Sequence, residues 1–316
     1  MRRQSVMVRV PATCGELIQG PYLEKESLVS LPIDRYTVVE ASFNPDAGRY
    51  DAQNRHGGGD HLPPLGAAHL LPKAAEAFRL AVSHLSLTPE KLAGISIRLH
   101  SELACGKGYA TSTSDLYGVI AALFELFEYP ATAELYASLC ASIEPTDGLM
   151  FRDWVLFDHL NGVPLKRYPA PEGIQLLVLE PVKTCLTDTL RNRKHFSEAL
   201  SRKTTAPFKA FESAAAAGDV RGMFEAATLS AFENQSVVHK PYLEQVVMLS
   251  KQFDAYGVAA AHSGTLLGIA LPDRSDQGAL LRLLDEHGIL AYYTNHFTAR
   301  TISGGHHIIP GGRPCL

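Results

Sequence analysis

The run Ala104-Cys105-Gly106-Lys107-Gly108-Tyr109-Ala110-Thr111-Ser112-Thr113-Ser114-Asp115 constrains this chain more than any other. Before it, Ile95, Ile97 and Leu99 alternate with other residues as one face of a strand does; after it, Ser112 to Phe127 is apolar over much of a helix surface and predicts a buried helix. Two glycines let the backbone come close to a ligand, and four hydroxyls in a row, Thr111 to Ser114, stand where the helix begins. The unpaired N–H groups of a helix N-terminus, together with its dipole, make a ready anion site. Serine and threonine hydroxyls add donors for phosphate oxygens or ligands for Mg²⁺, and Lys107 adds a positive point charge. Lys107, Gly108, Tyr109, Ala110, Thr111, Ser112, Thr113 and Ser114 are therefore the candidate nucleotide-binding residues. The run lacks the Gly-Lys-Ser/Thr ending of a Walker loop. An N-capped helix after a glycine turn is the alternative, but one cap needs one hydroxyl.

Around this loop the first half of the chain alternates strands and helices. Val6, Val8 and Val10 predict one strand and Tyr36 to Phe43 another, while Pro72 opens a helix with Ala74, Phe78, Ala81 and Leu85 on one face. Asn44 to Gly66, with Gly57-Gly58-Gly59 and Pro63-Pro64, reads as a surface excursion, and the His56…His61 run within it as solvated loop, not a metal cluster. After Val163 the chain starts again. A strand at Ile174–Leu179 precedes helices at Arg191–Leu200, Phe208–Ala217 and Met223–Phe232, and Pro241 and Gly257 bracket a further helix. Strands at Val258–Ala261 and Leu266–Leu271, a helix over Gly278–His287 and a strand near Thr298–Ile302 complete a split βαβ order.

Length and composition agree with such a two-part chain. At 316 residues it suits two domains sharing a cleft, here residues 1–168 and 169–316. A net charge of −4 leaves no basic excess to replace phosphate counterions, which argues against a nucleic-acid binder. Val6 to Val10 is too short for a signal peptide and no later stretch approaches a membrane span, so a cytoplasmic protein without membrane partners is expected. Its five cysteines are scattered without paired spacing, as reduced thiols are.

The Lys107–Asp115 run resembles the second signature of the GHMP kinases, the family of galactokinase, homoserine kinase and mevalonate kinase; Ala110 replaces its second glycine and Ala104 its leading proline. The variant is most similar to the L-threonine kinase branch, which supplies O-phosphothreonine for the cobalamin linker. Pro11-Ala12-Thr13-Cys14-Gly15-Glu16-Leu17-Ile18-Gln19-Gly20 resembles that branch's first motif, and Ser142-Ile143-Glu144-Pro145-Thr146-Asp147 with Phe157-Asp158-His159 its acidic motif. Ala260-Ala261-His262-Ser263-Gly264-Thr265, preceded by Glu225–Ser230 on a helix, resembles the third. Four motifs in order cover nearly the whole chain.

The resemblance implies an α+β fold of two domains, an N-terminal ribosomal S5-like domain and a C-terminal ferredoxin-like sandwich, and an ATP- and Mg²⁺-dependent phosphotransferase acting on L-threonine. Asp147 takes the position of the catalytic Asp; as part of Pro145-Thr146-Asp147-Gly148 it would also suit a plain turn. Mg²⁺ keeps several waters, so one hydroxyl (Ser112 or Thr113) and one carboxylate suffice; Glu144 is the candidate, with Glu134 and Asp115 as alternatives. Thr13, Cys14, Gly15 and Glu16 are placed to line the acceptor pocket, a buried Glu16 suiting an ammonium group, and His262, Ser263 and Gly264 to support the phosphate loop or the acceptor's carboxylate. Thr13 stands where several relatives carry a lysine. A kinase for homoserine, serine or a hydroxy acid, a catalytically silent nucleotide-binding regulator and an RNA-binding S5-like protein are the competing readings. Oligomeric state is not legible in the chain.

Overall fold

The alternation at Val6, Val8 and Val10 does form a strand, and it runs well beyond the pattern. In the computed structural model, which describes residues 4–45, 51–56, 72–182 and 203–310, β1 spans Ser5–Tyr22 and turns back at once into β2, Lys25–Phe43. Leu23 and Glu24 both take positive φ, 52° and 58°, as a two-residue turn between right-twisted strands requires. Past Val10 the alternation breaks because the ladder slips between Pro11 and Ala12, between Thr13 and Glu16, and between Glu16 and Ile18. Such bulges re-aim side chains, and here they fall inside the first motif.

The sheet continues through β3 (Asp51–His56), which runs parallel to β4 (Ile95–Ser101), and β4 is antiparallel to β2. α1 (Pro72–His84), the short α2 (Pro89–Ala93), α3 (Thr111–Leu126) and α4 (Ala133–Ala141) belong to this half. α3 is buried on nearly every side, as its composition requires, and at Gly118 an added Cβ would lie 2.7 Å from Val39 Cγ2, so helix and sheet are in close contact. β5 (Trp154–Asp158) and β6 (Val163–Tyr168) form a hairpin on the end of β2.

β7 (Gln175–Glu180) opens the second half, followed by α5 (Ala206–Ala217), α6 (Val220–Asn234), α7 (Leu243–Ser250), β8 (Gly257–Ala260), β9 (Leu267–Leu271), α8 (Gln277–Glu286) and β10 (Asn295–Arg300). This is the expected split order. Contrary to the expectation that Gly257 caps α7, a 3₁₀ turn over Lys251–Phe253 ends that helix and Gly257 starts β8; glycine is needed there because an added Cβ would meet Phe224 O at 2.2 Å. A short β11, His307–Ile309, pairs with β1. The Arg191–Leu200 helix, the His56…His61 run and most of the Asn44–Gly66 excursion fall outside what is described, apart from the backbone of β3. Among the described residues no helix is long and apolar enough to cross a membrane.

The strands join in one sheet in the order β10-β7-β9-β8-β1-β2-β4-β3. β1 and β8 meet at a single paired position, Glu16 opposite Ala260; β11 on β1 and a bridge between Ile33 and Thr301 also link the halves. The expected division at 168/169 falls in the link between β6 and β7, while one apolar cluster, including Cys14, Tyr109, Trp154, Leu176 and Ala261, draws on both sides of it.

At the seam, backbone meets backbone. A Cβ added to Gly15 would lie 2.6 Å from Ala261 N; one on Gly108 would lie 2.0 Å from the Ala261 side chain; one on Gly264 would lie 2.2 Å from Lys107 O. Glycine is required at all three, and Gly15 and Gly108 also take positive φ. Gly15 N–H donates to Gly108 O at 3.1 Å and Thr265 N–H to Lys107 O at 2.8 Å, so the first, second and third motifs are hydrogen-bonded to one another. Gly264→Ala is expected to cost about 3 kcal/mol, a fall in Tm of roughly 6–12 °C; a melting curve unchanged by the substitution would show that these loops are not in contact.

Candidate active site

Helix α3 begins with an unusual cap. Ala110 is its N-cap in the left-handed region (φ 52°) with no side-chain hydrogen bond, and the first backbone bond of the helix runs from Ser114 N to Ala110 O. The N–H groups of Thr111, Ser112 and Thr113 therefore have no acceptor within the helix and face outward at the positive end of its dipole. The sequence offers no serine or aspartate at the cap to occupy them, which leaves the terminus suited to an anion.

The four hydroxyls after the cap are divided among different tasks. Ser112 Oγ donates to Glu144 Oε1, and Glu144 Oε2 is ion-paired with Lys73 of α1. Thr113 Oγ1 donates to Asp147 Oδ2 at 3.3 Å and accepts from Asp147 N–H and Thr146 Oγ1, both at 3.2 Å. Ser114 Oγ is held by the carbonyls of Pro11 and Ala110, so it braces α3 against β1 and does not face a ligand. Thr111 is buried.

Asp147 is thus fixed from two sides. Ser30 Oγ of β2 donates to its Oδ1 at 2.8 Å. The loop carrying it is anchored by Thr146 N–H to His159 O at 2.9 Å, which explains why Phe157-Asp158-His159 accompanies the acidic motif. Ser30 is also the cross-strand partner of Glu16, so Glu16 and the Asp147 carboxyl share a face. Removal from water, and then the nearby Glu16 charge, push the Asp147 carboxyl up to about 7 despite the Ser30 and Thr113 hydrogen bonds. Glu16 is likewise pushed up to about 7 by burial, against the lowering effects of the His262 N–H and of Lys240 and Lys203.

Glu16 ends a hydrogen-bonded chain. Its Oε2 accepts from His262 N–H at 2.8 Å and lies 3.2 Å from His262 Nδ1, which is also 3.0 Å from Ala260 O. Two acceptors at Nδ1 assign the proton there, so Nε2 accepts from Ser230 Oγ at 2.8 Å and Ser230 Oγ in turn accepts from Gln19 N–H at 3.3 Å. Burial first, then Lys203 and Lys240, hold the His262 pKa far below its ordinary range, keeping the ring neutral.

Several expected site residues are turned elsewhere. Lys107 does not project toward the helix terminus: it is buried, with its Nζ donating to Pro181 O and to Val182 O (2.7 Å) and lying 3.8 Å from Glu180. Gly108 at positive φ directs the flanking side chains back into the protein, and Tyr109 follows, its hydroxyl donating to Glu180 Oε2 at 2.6 Å. Cys14 does not line a pocket; it is fully buried against Gly268, where an added Cβ would lie 2.4 Å from Sγ, and burial pushes its thiol pKa up. Thr13 is also buried, its N–H and hydroxyl both reaching the loop, at Tyr109 O and Gly108 O. His262 and Gly264 support the site from behind, and Ser263 between them is partly exposed. Of the alternative metal carboxylates, Glu134 is paired on the surface with Arg167 and Asp115 lies buried in the first turn of α3, whereas Glu144 touches Ser112. Among the described residues no three His, Cys, Asp or Glu side chains form a metal cluster, so a cation here would depend on the Ser112–Glu144 pair of hard oxygens and on water. A separate cavity of about 340 Å³ opens at the base of the loop between Arg35, Glu102, Leu103, Glu180 and Phe297, and neither Asp147 nor Glu16 lines it.

Ser30, Lys73, Lys203, Asn234 and Lys240 were not anticipated. Each is an isolated polar residue in sequence with no neighbouring motif to mark it; Ser230 alone had such a signal, lying in the helical stretch before the third motif.

A glycine-bound loop at an open helix terminus, with a held carboxylate beside it, defines a phosphotransferase class, and the chain belongs to the GHMP kinase family. Residues 69–150 match the model of the GHMP kinases N terminal domain. The chain is 30% identical over 302 residues to the L-threonine kinase of Citrobacter freundii, covering 95% of this chain and 98% of that one. It is 29% identical over the same length to the L-threonine kinase of Salmonella typhimurium strain LT2, covering 95% and 94%. A crystal structure of homoserine kinase from Cytophaga hutchinsonii superposes with a TM-score of 0.67 at 14% identity over 98% of each chain.

The raised Asp147 pKa has a consequence for stability. A carboxyl that titrates near 7 when folded and near 3.8 when unfolded opposes folding increasingly as pH rises through that window, because the unfolded chain gives up its proton first. Asp147→Asn is therefore expected to melt above the parent protein at pH 8, with a gain that grows between pH 4 and pH 7 and then levels off. A parent that is the more stable at pH 8 would show that the carboxylate is not desolvated.

Proposed function

We propose that the protein is an ATP-dependent kinase that transfers the γ-phosphoryl group to the hydroxyl of L-threonine, giving O-phospho-L-threonine and ADP. The observation that carries this reading is Asp147, held by Ser30 and Thr113 beside the open N-terminus of α3. The N–H groups of Thr111 to Thr113 suit the nucleotide's phosphate oxygens. Ser112 and Glu144 would hold Mg²⁺, which when bound supplies charge neutralisation between the phosphates. Asp147 accepts the acceptor's hydroxyl proton as the new P–O bond forms; a carboxyl near 7 is well matched to that task at neutral pH. Identity to two L-threonine kinases over nearly the full chain supports threonine as the acceptor. The sequence resemblance extends the reading to a role in making the cobalamin aminopropanol linker, and to ATP-binding by an N-terminal domain ending near residue 168.

The test is ADP release with Mg-ATP across L-threonine, D-threonine, L-serine, L-homoserine and mevalonate, for the parent protein and Asp147→Ala. Threonine is expected to be turned over best, with kcat rising with pH through about 7. The variant is expected to lose roughly 10²–10⁴-fold in kcat. Preference for another acceptor would keep the kinase and remove threonine. ATP binding without turnover of anything would point to a regulator.

A further inference from the structure

Behind Glu16 lies a positive charge that phosphoryl transfer itself does not employ. Lys203, just before α5, has 8% of its surface exposed. Its stem runs past Gly20, where an added Cβ would sit 3.2 Å from Lys203 Cδ, so the last residue of the first motif leaves room for it. The ammonium donates to Gln19 O at 3.0 Å, on the same residue whose N–H feeds the Ser230–His262–Glu16 chain. An ammonium carries three donors, and among the described residues that is its one hydrogen bond. The carboxylates of Glu16, Glu233 and Glu26 place negative charge around it, but among the described residues none pairs with it directly, so its remaining donors suit an anionic group that comes within hydrogen-bond reach. At the chain's histidine, Asn234, 1% exposed, gives its Nδ2 to His262 O at 3.1 Å while its buried Oδ1 meets no donor among the described residues. The cluster therefore holds an acid (Glu16), a base (Lys203) and an unspent amide oxygen around one neutral imidazole.

We infer that Lys203 and Glu16 form a clamp for a zwitterion, Lys203 taking the carboxylate of the acceptor and Glu16, with Asn234 Oδ1, its ammonium group. The inference rests on the kinase reading and narrows it to α-amino acids carrying a hydroxyl. Glu16 shares its face with Asp147 through Ser30, so an amino acid gripped there brings a side-chain hydroxyl toward the Asp147 carboxyl. The His262 chain is what aims the clamp: it fixes Glu16 Oε2 while the ring itself adds no charge to repel the ammonium. Burial pushes the Lys203 pKa down to about 8, and an arriving carboxylate reverses the effect of that burial. Lys240, also buried, adds positive charge near Glu16 and His262.

The experiment compares L-threonine with L-threoninamide, which keeps ammonium and hydroxyl but lacks the carboxylate, and with 3-hydroxybutyrate, which lacks the ammonium. The parent protein, Lys203→Met and Glu16→Gln are assayed for kcat/KM on all three and for the KM of ATP. In the parent, threonine is expected to exceed each analogue by roughly 100-fold. Lys203→Met should abolish the preference over the amide while keeping that over 3-hydroxybutyrate. Glu16→Gln should do the reverse, and the KM of ATP should stay within about threefold in both. A merely structural lysine would lower all three acceptors together, so a preference over the amide that survives in Lys203→Met overturns the inference. If Lys203→Met does not fold, Lys203→Gln gives the same comparison. A parent protein that phosphorylates none of the three overturns the kinase reading and this inference with it; one that phosphorylates threonine while both variants keep their preferences overturns the clamp alone.

Discussion

The site depends on three backbones being allowed to touch. Gly15 on the bulged strand β1, Gly108 in the phosphate loop and Gly264 in the loop between β8 and β9 meet at distances that no side chain would permit. The hydrogen bonds that follow, from Gly15 to Gly108 and from Thr265 to Lys107, fasten an N-terminal loop to a C-terminal one. Everything else is positioned by that contact: the cap at Ala110, the open end of α3, and Glu16 at the single paired position joining β1 to β8. A left-handed alanine at the cap costs on the order of 1–2 kcal/mol, which the surrounding bonds must hold in place.

Around this frame the electrostatics are arranged to keep negative charge concentrated and dry. Asp147 and Glu16 share one face; burial raises both toward neutrality, and the Glu16 charge raises Asp147 further. Glu144, a short distance along the chain, is instead neutralised by Lys73 and touches Ser112. Neighbouring carboxyls with different partners take different tasks: Asp147, poised near 7, is suited to exchanging protons, and Glu144 is held by Lys73 and Ser112 as an oxygen ligand. The neutral His262 lets Glu16 be held without introducing a cation that would compete for it.

Much of this was legible before any coordinates. The β1, β4, α1 and α3 patterns and the split order of the second half follow from periodicity, because a half-buried strand and a buried helix impose different spacings on apolar residues. Asp147, Ser112 and Glu144 were marked by motif, and they do converge. What misled was direction. Lys107, Tyr109, Thr13 and Cys14 lie in the right motifs but point into the protein, since positive φ at Gly15 and Gly108 and the slips in β1 reverse the side chains on either side. Ser30 and Lys203 were invisible, being single residues far from any motif.

The sequence by itself determined the elements, the order of the loops and the kinds of group that phosphoryl transfer needs, since local spacing and residue chemistry are written along the chain. Tertiary structure decided which of those groups face one another. Ser30 reaches Asp147 across 117 positions and Glu16 reaches His262 across 246, and partnerships of that range come from strand register and helix packing, which no local pattern encodes. Burial, and with it the raised pKa values of Asp147 and Glu16, is likewise a property of the assembled walls and not of the residues that carry the charge.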